Sequence, residues 1–405
     1  MPYEIRPVRP EELDRLLLAD QRGFGGPPAR PDTPRGWAEA ELDRTRVAFE
    51  DDEIVGVSRS YSFELTVPGG AVVPAAAVSW VAVLPTHRRR GVLTQMIAAL
   101  HDDARAHEEP VAMLTASESV IYGRFGYGVA TWRLGISAER ARIEFVDPED
   151  TGRMRMLTKE EAEKVLPDIY ERTRLARGGM VSRPDFWWPQ VFWTYMGGRG
   201  KKPFFTAVHT DAAGNDDGFV AYEITDEWNR GLPDRRLVVW DMQAVDGKAR
   251  AALWKYVFGV DLIGTVASTN SPVDDPLRRL VTDGRRVQVD FVNDGLWLAP
   301  LDPAPLLAAR RYTIEHALVL EVHAPDGSTQ RLALEGGPEG ARCVPSTSTP
   351  NLVCSAATLG ACALGGNRWS ELAETGLVEA SGAEVLARAD AMFMAAPEPA
   401  LLSGF

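Results

Sequence analysis

The sequence predicts an α/β protein made of several units, and three observations lead to this prediction. The chain has 405 residues, and a chain of this length usually folds into several domains, each with its own hydrophobic core. An uninterrupted apolar run at 71–83 is typical of a buried central strand, and an amphipathic helical pattern follows it at 91–107. A second strand-then-helix pattern occurs at 237–258, and from about residue 300 the pattern changes to a hairpin followed by short helices.

The first predicted unit is built around the apolar run. Its first segment predicts a strand at 3–8 and a helix at 11–21, because leucines recur there at helical spacing. Further segments rich in β-branched and aromatic residues predict strands at 47–49, 54–65, 111–115 and 129–137. Together these elements predict one α/β unit over residues 1–135.

Two further units are predicted in the rest of the chain. Residues 136–297 weakly repeat the first plan, but the joint between strand and helix reads Asp246-Gly247-Lys248 and contains no arginine. We interpret this part as a second domain of similar fold that lacks a cofactor loop. Residues 298–405 predict a third unit, which begins with a hairpin across Pro325-Asp326-Gly327 and continues with short helices.

Composition limits the class of protein and its partners. The formal net charge of −13 argues against nucleic acid, because phosphate binding needs a basic face. The same charge is compatible with a cationic substrate, or it simply keeps the protein soluble. Cys343, Cys354 and Cys362 show no C-x-x-C spacing and predict buried thiols, so we expect no structural metal. Because neither a signal-peptide pattern nor a membrane-spanning apolar run occurs, we expect a cytoplasmic protein.

The loop between the apolar strand and its helix is the most informative stretch. It reads Pro-Thr-His-Arg-Arg-Arg-Gly over residues 85–91. The N-terminus of a helix presents free N–H groups and a positive dipole end, and three arginines add charge at the same place. Gly91 would let the backbone approach a phosphate closely. The pattern predicts a pyrophosphate site; the alternative is a basic surface turn that begins an ordinary helix.

A second string of residues makes this loop more specific. Residues 116–128 read Ala-Ser-Glu-Ser-Val-Ile-Tyr-Gly-Arg-Phe-Gly-Tyr-Gly. The arginine loop resembles the acetyl-CoA loop of GNAT acetyltransferases, R/Q-x-x-G-x-G/A, although Leu93 stands where that motif has a small residue. The two strings together resemble the Eis (enhanced intracellular survival) family of GNAT N-acetyltransferases. The resemblance implies tandem GNAT domains, the second degenerate, followed by a sterol-carrier-like domain. It also implies a hexamer.

The same resemblance implies roles for individual residues. It places the backbone of Val81 and Val83 against the pantetheine arm of acetyl-CoA, and Ser117 and Glu118 near the cofactor. The residues that it implies for the pyrophosphate are Arg88, Arg89, Gly91, Val92, Leu93 and Thr94. It matches Trp37 and Trp80 to aromatic positions that line the amine pocket; packing in the core is the alternative for both tryptophans.

Acetyl transfer to an amine needs a proton acceptor and a proton donor. The resemblance assigns the donor role to Tyr122, whose glycine-rich surroundings permit a turn. Full transfer of its proton to a thiolate is uphill, and either partial transfer in the transition state or a pKa lowered by Arg124 would ease it. Tyr127 is the rival for this role. For the acceptor the resemblance implies the backbone carboxylate of Phe405, with Glu118 as a side-chain alternative. The expected substrate is a primary amine such as an aminoglycoside or a polyamine. The alternatives are acetylation of protein lysines or N-termini, and a non-catalytic protein that binds acetyl-CoA or, through its third domain, a lipid.

Overall fold

The computed structural model describes residues 3–26, 35–146, 152–196, 204–225, 228–229 and 232–405. Within these ranges, no helix is both long and apolar enough to cross a membrane.

The first part of the chain contains six strands and three α-helices among the described residues. The strands are β1 (Glu4–Arg6), β2 (Val47–Glu50), β3 (Glu53–Thr66), β4 (Val72–Val83), β5 (Val111–Leu114) and β6 (Gly128–Val129). The helices are α1 (Leu13–Gly23), α2 (Arg35–Glu39) and α3 (Val92–Ala106). A short 3-10 helix at Pro85–His87 joins β4 to α3, and another at Gly123–Phe125 precedes β6.

The middle part contains a second set of strands and helices. The strands are β7 (Trp132–Glu139), β8 (Arg153–Leu157), β9 (Phe204–Thr210), β10 (Asp216–Ile224), β11 (Trp228–Asn229), β12 (Leu232–Pro233), β13 (Arg235–Ala244), β14 (Ile263–Pro272) and β15 (Gln288–Asp294). The helices are α4 (Lys159–Arg174), α5 (Gly247–Gly259) and α6 (Leu277–Leu280), and a π-helix spans Trp188–Met196.

The last part begins with β16 (Trp297–Pro300) and α7 (Pro303–Ala309). The remaining strands are β17 (His316–His323), β18 (Thr329–Gly337), β19 (Gly340–Pro345), β20 (Leu352–Ser355) and β21 (Val378–Ala380). The remaining helices are α8 (Ala356–Cys362), α9 (Trp369–Glu374) and α10 (Ala383–Phe393). The strands β19-β18-β17-β20-β21 form one sheet, and all three cysteines are buried and free in this unit.

The first sheet has the order β1-β2-β3-β4-β5-β16-β6, so its last strands come from distant parts of the chain. β4 and β5 are parallel, and α3 forms the crossover between them, as a parallel connection requires. β16 pairs with β5 on one side and with β6 on the other. The chain therefore returns from the second sheet to complete the first one before it enters the third unit.

The strand predicted at 129–137 is wrong as one element, because the chain changes sheet within it. Gly128–Val129 joins the first sheet, whereas Trp132–Glu139 pairs with β14 and β15 in the second sheet. The hydroxyl of Thr131, between them, accepts a hydrogen bond from the Leu296 N–H at 2.8 Å. The boundaries predicted at 135/136 and 297/298 fall inside β7 and β16. Local patterning shows that a strand forms, but it does not show which sheet the strand joins.

The second sheet, β15-β7-β14-β13-β10-β9-β8, repeats the centre of the first one. β10 and β13 are antiparallel, β13 and β14 are parallel, and α5 follows β13 as α3 follows β4. Each central strand also carries an extra residue in a bulge, near Trp80 in β4 and at Trp240 in β13. The N-terminus of α5 is different: the Asp246 carboxylate accepts the N–H groups of Lys248 and Ala249. The Asp246 carboxylate therefore already accepts the N–H groups that a bound phosphate would need at this helix N-terminus.

Candidate active site

The candidate site lies where β4 and β5 diverge. The two strands pair only between residues 75–77 and 111–113, while β4 continues to Val83 along β3. Beyond residue 77 one edge of β4 therefore has no paired strand in the described part of the sheet. The bulge falls in this unpaired stretch, where Trp80 adopts a positive φ of 55°. The divergence leaves an opening that is bordered on one side by backbone groups.

The peptide groups of Val83 face this opening. The Leu84 N–H donates to the Val55 carbonyl at 2.9 Å, so these two residues form a hydrogen-bonded pair of the ladder. The neighbouring pair, Gly56 and Val83, is then a non-hydrogen-bonded pair, whose N–H and C=O groups point away from each other. The Val83 N–H is thus directed to a ligand that carries amide groups, while the Val83 carbonyl accepts a long contact from the Arg88 guanidinium at 3.4 Å.

The arginine loop presents backbone N–H groups at the start of α3. Arg89 and Gly91 both adopt left-handed conformations, with φ values of 63° and 82°. Alternation of left-handed and other conformations turns successive N–H groups toward one concave point, which suits a phosphate. The Arg88 guanidinium donates to the Gly23 carbonyl at 3.0 Å and to the Val83 carbonyl at 3.4 Å. Arg89 and Arg90 are exposed and make no ion pair with any described residue.

The residues in the first turn of α3 differ in whether their side chains pack in the core or are exposed near the loop. Val92 is buried with Met96, and both side chains lie against Gly56, where a Cβ would come within 2.8 Å of Val92. Leu93 is half-buried, and its side chain packs against the buried residues on both sides of the helix. The side chains of Val92 and Leu93 thus pack in the core, and these two residues can contact a ligand in the loop through their backbone N–H groups. The side chain of Thr94 is exposed.

Tyr122 lies on one face of β4 beside the opening. It begins the 3-10 turn at Gly123–Phe125, is 7% exposed, and meets the ring of Tyr127 edge-on at 5.9 Å. Burial raises the pKa of Tyr122 to about 12, and the charge of Glu118 adds to this. Of the two ways to ease proton donation, a pKa lowered by Arg124 is wrong, because the Arg124 guanidinium lies 4.8 Å from the centre of the Phe125 ring and the pKa of Tyr122 is raised.

Ser117 and Glu118 lie just beyond the end of β5, where both side chains are exposed. The rival Tyr127 is 1% exposed, and its hydroxyl contacts the Nε2 atom of His101 at 3.0 Å. Burial lowers the pKa of His101 to about 4, so the imidazole is neutral and this contact is a hydrogen bond between uncharged groups. Tyr127 thus has a partner in the core, whereas the Tyr122 hydroxyl has no hydrogen-bond partner among the described residues.

Phe405 lies on the opposite face of β4. Because neighbouring side chains of a strand point to opposite faces, Val78 packs with Tyr122, whereas Ala77 belongs to the cluster against which Phe405 packs. The Ser79 hydroxyl donates to the backbone oxygen of Phe405 at 3.3 Å. The two groups that the sequence proposes as acid and base are therefore brought to one strand, from its two sides.

The two tryptophans form a pair on the Phe405 side. The rings of Trp37 and Trp80 meet edge-to-face, with centroids 5.7 Å apart. Trp37 packs against the same cluster as Phe405, and its carbonyl accepts the Tyr61 hydroxyl at 3.2 Å. The Arg59 guanidinium lies 5.2 Å from the centre of the Trp80 ring. Both tryptophans are half-buried, so each has one part in the core and one part open to a ligand.

Four residues near Phe405 were not singled out in the sequence. They are Ser79, Arg183, Trp187 and Asp241. The contacts of Trp187 and Arg183 with the chain end span 217 and 220 residues, so no spacing could have indicated them. Among the residues that the structure describes, no group of three or more His, Cys, Asp or Glu side chains is arranged to hold a metal ion.

Comparison with known proteins identifies all three parts of the chain. Residues 4–130 and 179–299 match two families that are both described as acetyltransferase (GNAT) domains, and residues 304–402 match the sterol carrier protein domain. An uncharacterized N-acetyltransferase of Streptomyces griseus is 36% identical over 98% of this chain and 99% of its own length. The N-acetyltransferase Eis of Mycobacterium tuberculosis is 34% identical over 84% of this chain and 83% of its own length.

A solved structure extends this similarity to the whole fold. The crystal structure of Eis1 from Mycobacterium abscessus superposes with a TM-score of 0.87 at 34% identity, covering 99% of this chain and 100% of that one. These matches confirm the predicted tandem GNAT domains and the sterol-carrier-like third domain. The chain therefore belongs to the Eis family of GNAT N-acetyltransferases, and it is an acetyltransferase.

Proposed function

We propose that this enzyme transfers the acetyl group of acetyl-CoA to a primary amine in a ternary complex, with Tyr122 as acid and the Phe405 carboxylate as base. The observation that carries the proposal is the position of these two residues on opposite faces of β4, beside the opening between β4 and β5. Such an opening lets the acid act at the sulfur from one face while the amine arrives at the other.

The loop and the edge of β4 supply what a coenzyme A thioester needs. The N–H groups of residues 89–93 and the charges of Arg88 and Arg89 suit the pyrophosphate. The outward-facing peptide groups of Val83, with those of Val81 nearby, suit the amides of the pantetheine arm. When bound, acetyl-CoA supplies the thioester; the protein holds it and manages the two protons.

Proton transfer accounts for the roles of the two groups. The amine must lose a proton before its nitrogen can bond to the acetyl carbon, and an alkylammonium has a pKa of ~10.4. A carboxylate of pKa ~3.5 does not keep that proton, so we propose that a water molecule held by the Phe405 carboxylate takes the proton and passes it to bulk solvent. When the carbon–sulfur bond breaks, the sulfur takes a proton from Tyr122. Because burial keeps this hydroxyl protonated, it is present as a donor at neutral pH. The raised pKa also makes full transfer to a thiolate of pKa ~8.5 uphill, so we propose partial transfer in the transition state, after which solvent restores the tyrosine proton.

The proposed substrates are cationic amines such as aminoglycosides or polyamines. The net charge of −13 attracts them over a distance, and the Trp37–Trp80 pair offers aromatic faces to an ammonium group. Thiol release from acetyl-CoA should be measured with a panel of polyamines, aminoglycosides and lysine peptides. Turnover with the small amines supports the proposal, whereas turnover with the peptides alone would assign the enzyme to protein acetylation.

Replacing Arg88 and Arg89 with alanine is expected to weaken acetyl-CoA binding more than it slows the chemical step. Each charge-assisted contact with a phosphate is worth ~1.5–3 kcal/mol, so the double variant should raise the Kd by at least ~10²-fold. The measurement is titration calorimetry with acetyl-CoA. Arg105→Ala is the control, since Arg105 is an exposed arginine in the last turn of α3, at the helix end away from the loop, where it pairs with Asp102 at 3.0 Å. An unchanged Kd in the double variant would contradict the proposed pyrophosphate site.

The pH dependence of kcat should reflect the raised pKa of Tyr122. Because this pKa is about 12, the protonated form persists, and activity should rise with pH without a descending limb below about pH 11. Glu118→Gln removes a charge that raises this pKa, so it should move any descending limb to lower pH. A wild-type descending limb near pH 9 that disappears in Tyr122→Phe would show that the hydroxyl titrates far below this range.

A further inference from the structure

The end of the chain is held by the second GNAT domain. The indole N–H of Trp187 donates to the Gly404 carbonyl at 2.7 Å, and the Arg183 Nε–H donates to the Ser403 hydroxyl at 3.1 Å. Trp187 is fully buried and Ser403 is 4% exposed, so the Arg183–Ser403 contact is shielded from solvent. Gly404 is exposed, so its contact is shielded only on the side of the indole. The two residues that precede Phe405 are therefore each fixed by one side chain, and we call residues 403–405 the tail end.

Arg183 is itself fixed by a buried ion pair. Its Nη2 atom lies 2.6 Å from the Asp241 carboxylate, and both side chains are 1% exposed. The amide of Gln243 donates to the other oxygen of Asp241 at 2.7 Å. The guanidinium also lies over the rings of Tyr170 and Trp187, at 3.6 and 4.0 Å from their centres. The position of the Ser403 hydroxyl is thus set by contacts on several sides of one guanidinium.

Stability alone does not account for this arrangement. A buried ion pair loses about as much by desolvation as it gains by attraction, and apolar residues of similar volume often stabilise a core better. The Nη1 atom of Arg183 is also buried without a hydrogen-bond partner in the described part of the chain, which has a further cost. What such a pair provides is a defined geometry at the atom that it contacts, here the hydroxyl of Ser403.

Asp241 lies in the strand that corresponds to β4. β13 occupies the centre of the second sheet as β4 does in the first, and the bulged Trp240 directly precedes Asp241. In the first domain this strand borders the opening proposed for acetyl-CoA. In the second domain its carboxylate holds Arg183, and Arg183 contacts the tail end.

We propose that Arg183, Asp241 and Trp187 are positioning residues for acetyl transfer, which fix Ser403 and Gly404 so that the Phe405 carboxylate stays beside Ser79. This inference rests on the proposed role of Phe405 as base. It gives the second GNAT domain, which has Asp246 in place of an arginine loop, a function in the reaction of the first domain.

Two conservative variants test the proposal without opening the core. Trp187→Phe keeps an aromatic ring under Arg183 and removes the N–H donor to Gly404, and Ser403→Ala removes only a hydroxyl. Each should lower kcat by ~10-fold or more, because small misplacement of a reacting group is costly, while the Kd of acetyl-CoA stays within about twofold. Normal kcat in both variants would overturn the proposal.

The matched control is another buried arginine of the same region. Arg174 pairs with Glu64 and Glu171, both at 2.7 Å, and its side chain is 7% exposed. Its hydrogen bonds go to Glu171, Thr66 and Glu64, none of which belongs to the tail end, so Arg174→Lys should lower the Tm but leave kcat within about twofold of wild type. If Arg174→Lys lowers kcat as much as Trp187→Phe does, the loss is structural and the positioning role is overturned.

A double variant separates this proposal from the role of Phe405. Trp187→Phe is combined with a two-residue extension after Phe405, which displaces the carboxylate. If Trp187 acts through that carboxylate, the combined variant is no slower than the extension alone, whereas multiplied losses would overturn the proposal. A slow extension together with normal kcat in both Trp187→Phe and Ser403→Ala contradicts only the positioning role. A fully active extension contradicts the proposed function itself.

Discussion

Tyr122→Phe is expected to lower kcat by ~10²–10⁴-fold while the Kd of acetyl-CoA is unchanged. The substitution removes only the hydroxyl, and the ring still packs edge-on against Tyr127. Since that hydroxyl has no hydrogen-bond partner among the described residues, its loss should not lower the Tm. The measurement is kcat from thiol release at saturating amine, together with the Tm and the Kd.

Tyr127→Phe is the matched control for this prediction. It removes a buried hydroxyl that contacts His101 at 3.0 Å, so it should cost ~0.5–1.5 kcal/mol of stability and have little effect on kcat. The two variants should therefore have opposite profiles, one with normal stability and low kcat and the other with lower stability and normal kcat. A Tyr122→Phe enzyme within about threefold of wild type would indicate that solvent protonates the thiolate.

A two-residue extension after Phe405 is expected to lower kcat by ~10²–10⁴-fold, because it displaces the carboxylate that we propose as the base. The structure explains why the fold should tolerate it: Phe405 is only half-buried, and the buried residues 400–403 are unchanged. Acetyl-CoA binding should also be normal, since the arginine loop lies at the other end of the β4 edge. Activity, Tm and acetyl-CoA Kd are measured on the same preparations.

Two further proteins control for the extension. The same two residues added before Met1 should leave kcat unchanged, and Phe405→Ala keeps a carboxylate while it removes the ring that packs 5.5 Å from Phe63. Phe405→Ala should therefore lose less activity than the extension does. Full activity of the extended protein would remove Phe405 from the mechanism and return the search for a base to side chains such as Glu118.

The centre of both GNAT domains could be predicted because its signals are local. The apolar run at 71–83 and the helical pattern at 91–107 correspond to β4 (Val72–Val83) and α3 (Val92–Ala106). The pattern at 237–258 likewise corresponds to β13 and α5. Burial of a strand on both faces and the spacing of apolar residues on a helix are properties of consecutive residues, so they can be seen without a partner.

The connections between domains could not be predicted in this way. β16 enters the first sheet between β5 and β6, and the predicted strand at 129–137 divides between two sheets. A strand is stabilised by its neighbours, and its sequence shows alternation and propensity but not the identity of those neighbours. The pKa of Tyr122 is a further case: Arg124 is close in sequence, yet burial and the charge of Glu118 determine the direction of the shift.

The sequence by itself determined the family, the arginine loop and the candidate acid, because each depends on residue types at short, fixed spacing. Only the tertiary structure decided how these parts meet. In the folded chain, β4 and β5 separate and leave the opening between them, and Tyr122 and Phe405 lie on opposite faces of β4. Phe405 contacts Ser79, and the neighbouring Ser403 contacts Arg183, which pairs with Asp241. The contacts of Ser79 with Phe405 and of Arg183 with Ser403 join residues 326 and 220 positions apart, and that of Arg183 with Asp241 joins residues 58 positions apart. At such separations the chain fold, rather than local periodicity, brings side chains together.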